Sequence, residues 1–356
     1  MLLKAIPIKI LCPLLYFFLF PIALVTQAIG ATDRMIDCKA IAISLVPPEV
    51  TALEYDLPHV KIASLVDPTR STGATVIYFP NGAVANFDAR GGSVAAVETT
   101  LLEEGSYGDN SINALVFAGG STMGLAAADG VRGYLFDKNI QHSTEFDFIP
   151  SVPGAVVFDY GGRVLSSNHK TIYPDSKFGA ELMNHLSPDR FMMGRTGAGV
   201  TTTVNKIGVP YWGGQGAAFK SFRWGKLMAI VVLNASGNVM IDGKSLFPPS
   251  ENEGDKRRAI SGQNTTLSAI ITDVALDRSQ LKRLSMMVHT NMAQRIVPFQ
   301  TPYDGDINFA MSLRERSVTK LEEEQLLDEA VILMHKAIEN SIYAANRHSI
   351  GHRKGS

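Results

Sequence analysis

Two short stretches of the chain carry residue types and spacings that can do chemistry. In "GQNTTLSAIITD" (262–273) a polar, glycine-containing stretch runs into Leu267–Ile271, an apolar run of mostly β-forming residues with the length of a buried strand. Thr265 at the head of such a strand fits an N-terminal nucleophile. Its hydroxyl would attack the carbonyl of Asn264, an ester would form, and water would release it. The new α-amine has an ordinary pKa of about 7.7–8, so its neutral form can take the proton of its own hydroxyl. β-Branching limits the χ1 rotamers of Thr265 and helps to hold the oxygen. Thr is also common at strand starts for reasons of propensity alone.

The second stretch is "YDGD" (303–306). Asp304 and Asp306, two residues apart on an extended segment, point to one side. Their repulsion would raise one pKa, which suits acid–base work. The same three residues also read as a tight turn or a weak cation site. Asn234 ends the apolar run "MAIVVLN". Its amide can donate to the negative oxygen of a tetrahedral intermediate, or simply end a strand in a turn. Nothing in these residues calls for a cofactor or a metal.

Positioning such groups takes strands and helices. "ATVIYFP" (74–80), "INALVFAGG" (112–120), "GAVVFDYG" (154–161) and "GKLMAIVVLNASG" (225–237) read as strands, and "STMGLAAADGVRGYLFD" (121–137) as a helix of small residues. A charged loop without apolar period spans 242–263 and ends at the first motif. After the Thr265 strand, Asp277 is placed to cap a helix, with Gln280 as its capping-box partner. Leu281, Leu284, Val288 and Met292 then form a helical stripe. The segment 317–346 reads as a second amphipathic helix.

The 356 residues suit one large domain or two ordinary ones, and a formal net charge of −1 gives no global basic signal for nucleic acid. Residues 1–30 read as a secretory signal peptide: Lys4 and Lys9, an apolar stretch Ile10–Val25, then small residues, with cleavage after Ala28 or a little later. A permanent membrane anchor is the alternative, though a lasting span usually needs ~20 apolar residues; the expected location is periplasmic or secreted with no stable membrane partner. Cys12 follows Leu11, not the small residue of a lipoprotein site. Cys38 alone can make neither an internal disulfide nor a zinc site.

The two motifs are joined by "TGATVIYFPNGAVANFDARGG" (72–92), "AGGSTMGLAAADGV" (118–131), "YPDSKFG" (173–179), "GRTGAGVTTTVNKIG" (194–208), "GGQGAAF" (213–219) and "VHTNMAQRIVPFQTPYDGDINFA" (288–310), in that order. The set resembles the DmpA-like family of self-processing aminopeptidases and amidases, and more closely its nylon-oligomer hydrolase branch. The resemblance implies an α+β fold, a four-layer αββα sandwich of the N-terminal-nucleophile type. It implies a single hydrolase domain cut between Asn264 and Thr265 into an α chain, 31–264, and a β chain, 265–356. Thr265 would be nucleophile and base, Asp304 and Asp306 would flank it, and Asn234 would lie near the oxyanion. An active-site Lys belongs in the segment matching "YPDSKFG", where Lys177 falls one place later and Ser176 holds the matching slot. The Tyr that other members place near the oxyanion is Phe158 here, with Tyr160 close by. His289 reads as a helix-packed, hydrogen-bonded core histidine.

The implied activity is hydrolysis of linear amides or short peptides, by processed α/β units that associate as homo-oligomers, often tetramers. An acyltransferase of the ornithine acetyltransferase kind and an inactive exported binding protein of the same fold are the alternatives.

Overall fold

The structure, a computed structural model, describes residues 50–57, 59–103, 111–138, 149–163, 171–208, 210–245 and 264–347. The signal-peptide segment, Cys12, Cys38 and the part of the charged loop from 246 to 263 lie outside these residues.

The main hydrogen-bonded sheet has nine strands. Eight are β1 (Lys61–Val66), β2 (Gly73–Ala89), β3 (Ser111–Ala118), β4 (Gly154–Val156), β5 (Gln215–Ser221), β6 (Lys226–Asn234), β7 (Thr265–Val274) and β8 (Ile307–Arg316). The order is β5-β6-β7-β8-β2-β3-β4, with the two-residue strand Ala96–Val97 beyond β4 and β1 paired to β2. The sheet folds over at β2. Its first half, Gly73–Tyr78, pairs with β1, and its second half, Val84–Ala89, pairs with β8. Between them the register with β3 shifts across Tyr78/Ala83, at Pro80-Asn81-Gly82, where Pro80 has no N–H to donate. One strand read from the sequence as 74–80 is therefore a 17-residue strand serving both sheet layers.

Among the described residues, four α-helices complete the layers: α1 (Ala126–Asp137), α2 (Ser176–Leu182), α3 (Arg278–Asn291) and α4 (Lys320–Ala345). Period-two alternation sends successive side chains to opposite faces of each strand. Met228, Ile230 and Val232 of β6, Leu267, Ala269 and Ile271 of β7, and Ile307, Phe309 and Met311 of β8 meet Ile77, Leu115 and Phe117 in a central core between the two sheet layers. Leu227, Ala229, Val231, Ile270 and Ala310 face the other way, onto Leu281, Leu284 and Val288 of α3 and Met334, Ile338 and Ile342 of α4. Val76, Ala114 and Val116 pack on Ala127, Val131 and Leu135 of α1. These three cores are the αββα sandwich that the motif set implies. β7 is buried along its full length because it is covered on both faces.

The helix signals hold at their ends. Asp277 and Gln280 form the capping box of α3, and Thr319 with Glu322 forms a second one at α4. "GAVVFDYG" is strand only over β4; from Tyr160 it turns into a short 3-10 helix.

Candidate active site

Three strand ends meet at Thr265. β6 runs antiparallel to β7 and sets its last residue, Asn234, opposite Thr265. β8 runs parallel on the other side, and an isolated bridge pairs Asn264 with Asp304 just before it. Adjacent strands are about 4.8 Å apart, so Asn234 and the Asp304-Gly305-Asp306 segment both lie one strand from Thr265. By its phase with Leu267 and Ala269, Thr265 belongs to the inter-sheet face, whereas Thr266 belongs to the helix face.

The acidic segment is held by backbone donors. Asp306 accepts N–H groups of Thr266 at 2.6 Å and Gln300 at 3.0 Å. Asp304 accepts those of Thr301 at 2.9 Å and Ser236 at 3.4 Å. From the far side the strap Arg90–Ser93 closes on the same loop: Arg90 and Gly91 donate to the Asp306 carbonyl, and Ser93 donates to the Asp304 carbonyl at 2.9 Å. A side chain at Gly91 would fall on the Asp304 oxygen and the Asp306 nitrogen, so only Gly fits there. The carbonyl of Asn264 accepts two bonds, one from the Thr265 hydroxyl and one from the Gly305 N–H at 2.9 Å.

The charges here do not balance. Asp304 and Asp306 are 1% and 0% exposed, so each is cut off from the water that would solvate a carboxylate. Burial first, and the neighbouring Asp304 second, push the Asp306 carboxyl above the ordinary carboxylate range. Lys206 is a cation that feels both carboxylates. It is itself buried, with its Nζ 2.9 Å from Asn234 Oδ1 and 3.1 Å from the Asn234 carbonyl. Burial pulls Lys206 down to about 7, against the opposing pull of Asp304, Asp159 and Asp306. An amine with that pKa holds and releases a proton at neutral pH.

Of the residues expected at the site, the structure gathers Thr265, Asn264, Asp304, Asp306 and Asn234. Asn234 holds more than was expected: its Nδ2 donates to the Phe158 carbonyl at 2.9 Å, and its Oδ1 accepts the Thr203 N–H at 3.1 Å as well as Lys206. Lys177 is not among the gathered residues. It is exposed at the start of α2, a helix packed against α1, and has no hydrogen bond or ion pair to any of these groups. The lysine that the structure does place beside Asn234 is Lys206, which the sequence reading passed over. A signal was available, since Lys206 is the one charged residue between Arg195 and Lys220, in a run of small and apolar residues; charge in such a run is buried only when it is paired.

Tyr160 is turned to other work: its hydroxyl donates to the Gly120 carbonyl at 3.4 Å and its ring lies under the Arg163 guanidinium. His289 is fully buried in α3 with Nδ1 2.9 Å from Asp88, as a core histidine would be.

The αββα sandwich places the chain among hydrolase folds of the N-terminal-nucleophile type. The pattern of peptidase family S58 matches residues 56–354, and the chain belongs to that family. It is similar to the 6-aminohexanoate-oligomer endohydrolase of Kocuria sp. (strain KY2), 32% identical over 299 residues that cover 77% of this chain and 79% of that protein. In fold it is similar to a β-aminopeptidase from Burkholderia sp., with a TM-score of 0.62, 16% identity and coverage of 86% of this chain and 90% of the other. The L-aminopeptidase D-Ala-esterase/amidase of Ochrobactrum anthropi, described as a variant of the Ntn hydrolase fold, also scores 0.62, at 17% identity over 81% of this chain and 85% of that one.

Proposed function

We propose that the chain is an exported hydrolase that cuts itself between Asn264 and Thr265 and then hydrolyses linear amides through an ester on Thr265. The observation that carries this is the buried Thr265 hydroxyl in hydrogen-bond contact with the carbonyl of the preceding residue, between Asn234 and the two aspartates. In the first reaction the Thr265 oxygen bonds to the Asn264 carbonyl carbon, the C–N bond breaks, and the proton leaving the hydroxyl ends on the departing amine. Before cutting there is no α-amine to act as base; Lys206, at about 7 and one strand away beside Asn234, is suited to relay that proton. After cutting, the Thr265 amine takes over, and the raised Asp306 carboxyl can supply the proton to a leaving group. Water completes both cycles by releasing the ester.

The Kocuria relative's name gives the substrate its direction: linear oligomers of ω-amino acids, or amides like them. The signal-like N-terminus supports action outside the cytoplasm, and processed units are proposed to associate as homo-oligomers.

Intact-mass measurement and N-terminal sequencing test this without a substrate. The purified chain should be two pieces that stay together on a native column. The small piece should start at Thr265 and carry about a quarter of the 38.5 kDa mass. Thr265→Val, which keeps the shape and loses the oxygen, should remain whole. Thr266→Ala should still be cut, because its side chain belongs to the other face of β7. A small piece that starts at Thr266 would move the nucleophile by one residue, and an uncut parent would remove the mechanism.

A further inference from the structure

We infer that the Gly305 N–H is the oxyanion donor, and that the place filled by Asn264 in the continuous chain is the acyl subsite of the cut enzyme. This rests on Thr265 being the nucleophile. Cutting the chain and attacking a substrate use the same oxygen, so both must present a carbonyl carbon to it in the same place. In the continuous chain that carbonyl belongs to Asn264, and its oxygen lies 2.9 Å from the Gly305 nitrogen. When the Thr265 oxygen adds to the carbon, the π electrons move onto that oxygen and the negative charge develops against the Gly305 N–H. When the C–N bond then breaks, its electron pair leaves on nitrogen and the carbonyl is restored. A donor placed beforehand where charge develops is what such a reaction needs.

The surroundings fix this donor. Ser93 holds the Asp304 carbonyl of the same peptide unit, and Arg90 and Gly91 hold the Asp306 carbonyl two residues on. A Cβ on residue 305 would fall 2.7 Å from the Thr265 oxygen and 2.9 Å from the Ser93 carbonyl, so only Gly brings the N–H this close to the nucleophile. The bridge between Asn264 and Asp304 also sets the direction of the subsite. An acyl chain there lies extended and parallel to Tyr303–Asp304, in strand register. The subsite is closed, with Asn264 3% exposed, and the Asn264 side-chain oxygen has no hydrogen-bond partner in it. It therefore suits an unbranched aliphatic acyl chain better than a polar one.

The test replaces a single atom. A full-length chain carrying glycolate at position 305 has an ester in place of the N–H. Loss of one oxyanion donor should slow cutting by roughly 10²–10³-fold, while the same replacement at Gly243, an exposed turn glycine with open space around it, should leave the rate unchanged. A parent that stays whole overturns the nucleophile reading itself. A parent that is cut, with the 305 ester keeping pace, overturns the donor alone. A second measurement does not depend on the ester chain folding. Hexylboronic acid added to the cut parent should accept the Thr265 oxygen as a tetrahedral boronate. A crystal structure of that adduct should place one boronate oxygen about 2.9 Å from the Gly305 nitrogen and the hexyl chain beside Tyr303–Asp304. A boronate oxygen turned away from Gly305, or a chain leaving in another direction, overturns the assignment.

Discussion

Asp159 and the Asp304–Asp306 pair are carboxylates buried to the same degree in one molecule, and they differ in what surrounds them. Asp159, 1% exposed, has a partner for each oxygen lone pair it can use. Oδ1 accepts Arg163 at 2.7 Å and the Gly120 N–H at 2.9 Å; Oδ2 accepts the Thr72 hydroxyl at 2.7 Å and the Thr201 hydroxyl at 3.2 Å. Arg163 is fixed in turn by the Ile172 carbonyl and the face of Tyr160. Asp304 and Asp306 have backbone donors but, among the described residues, no guanidinium, and their nearby amine, Lys206, is pulled down to about 7 by burial. Burial of an acid thus separates neither site from scaffold. What separates them is whether the charge is matched on the spot. The matched acid ties β4 and its turn to the loop before β2, whereas Asp306, raised by burial beside Asp304, has a proton to give.

If Asp159 is scaffold, removing its cation should cost the most stability of any change discussed here. Arg163→Met leaves a buried carboxylate without its counter-charge, a loss of about 3–5 kcal/mol. Chemical denaturation of the uncut Thr265→Val background would measure it. The Arg163→Met chain on its own should still be cut at Asn264–Thr265 wherever it folds. A cost below about 1 kcal/mol, the range of an exposed pair, would break the comparison from the scaffold side.

The unmatched pair should show the reverse. Asp306→Asn keeps an acceptor for the Thr266 N–H but turns a donor toward Gln300, a loss of about 1 kcal/mol. Against that it removes a buried charge next to Asp304. The net change in stability at neutral pH should be small, whereas amide hydrolysis by the cut enzyme should slow strongly. The pH dependence gives the sign. Asp306 has a folded pKa above its unfolded value of about 3.8–3.9. Its contribution to stability is therefore complete below that value and is lost as pH rises through the folded pKa. In the uncut Thr265→Val background, the parent should lose stability over this rise and Asp306→Asn should lose less. Equal slopes in the two chains would show that Asp306 does not titrate as a buried, raised acid.

The same contrast explains which parts of the site were legible in the sequence. Thr265, Asn234, Asp304 and Asp306 stand at strand ends, where an apolar run stops at a polar residue, and that local break can be read without the fold. α3 was legible from its cap and stripe, α1 from its small residues and α4 from its amphipathic pattern, whereas the short α2 was not read as a helix. β2 was read short because Pro80 and Gly82 look like a turn, and only pairing to two different partners carries the strand past them. Gly305 reads as a turn residue, and its approach to Thr265 exists only once β7 and β8 lie side by side. Lys206 was missed for the same reason: it is 28 positions from Asn234 in sequence, and its burial comes from a contact no local pattern encodes. "YPDSKFG" offered a lysine one place from the slot the family resemblance implies, and that resemblance, not a contact, pointed to Lys177.

That choice yields the smallest expected effect. Lys177 is exposed on α2, away from every charge in the site, so Lys177→Ala should change stability by no more than ~0.5 kcal/mol, as surface substitutions do. Cutting should go to completion at the parent rate. Hydrolysis of a linear 6-aminohexanoate oligomer, if the parent performs it, should keep both kcat and KM. The measurement is sensitive in one direction. A lysine that holds or moves a proton in the reaction contributes 10²–10⁴-fold, so even a tenfold fall in kcat for Lys177→Ala would return the role to α2 and make Lys206 a second scaffold charge, matched by Asn234 as Asp159 is matched by Arg163.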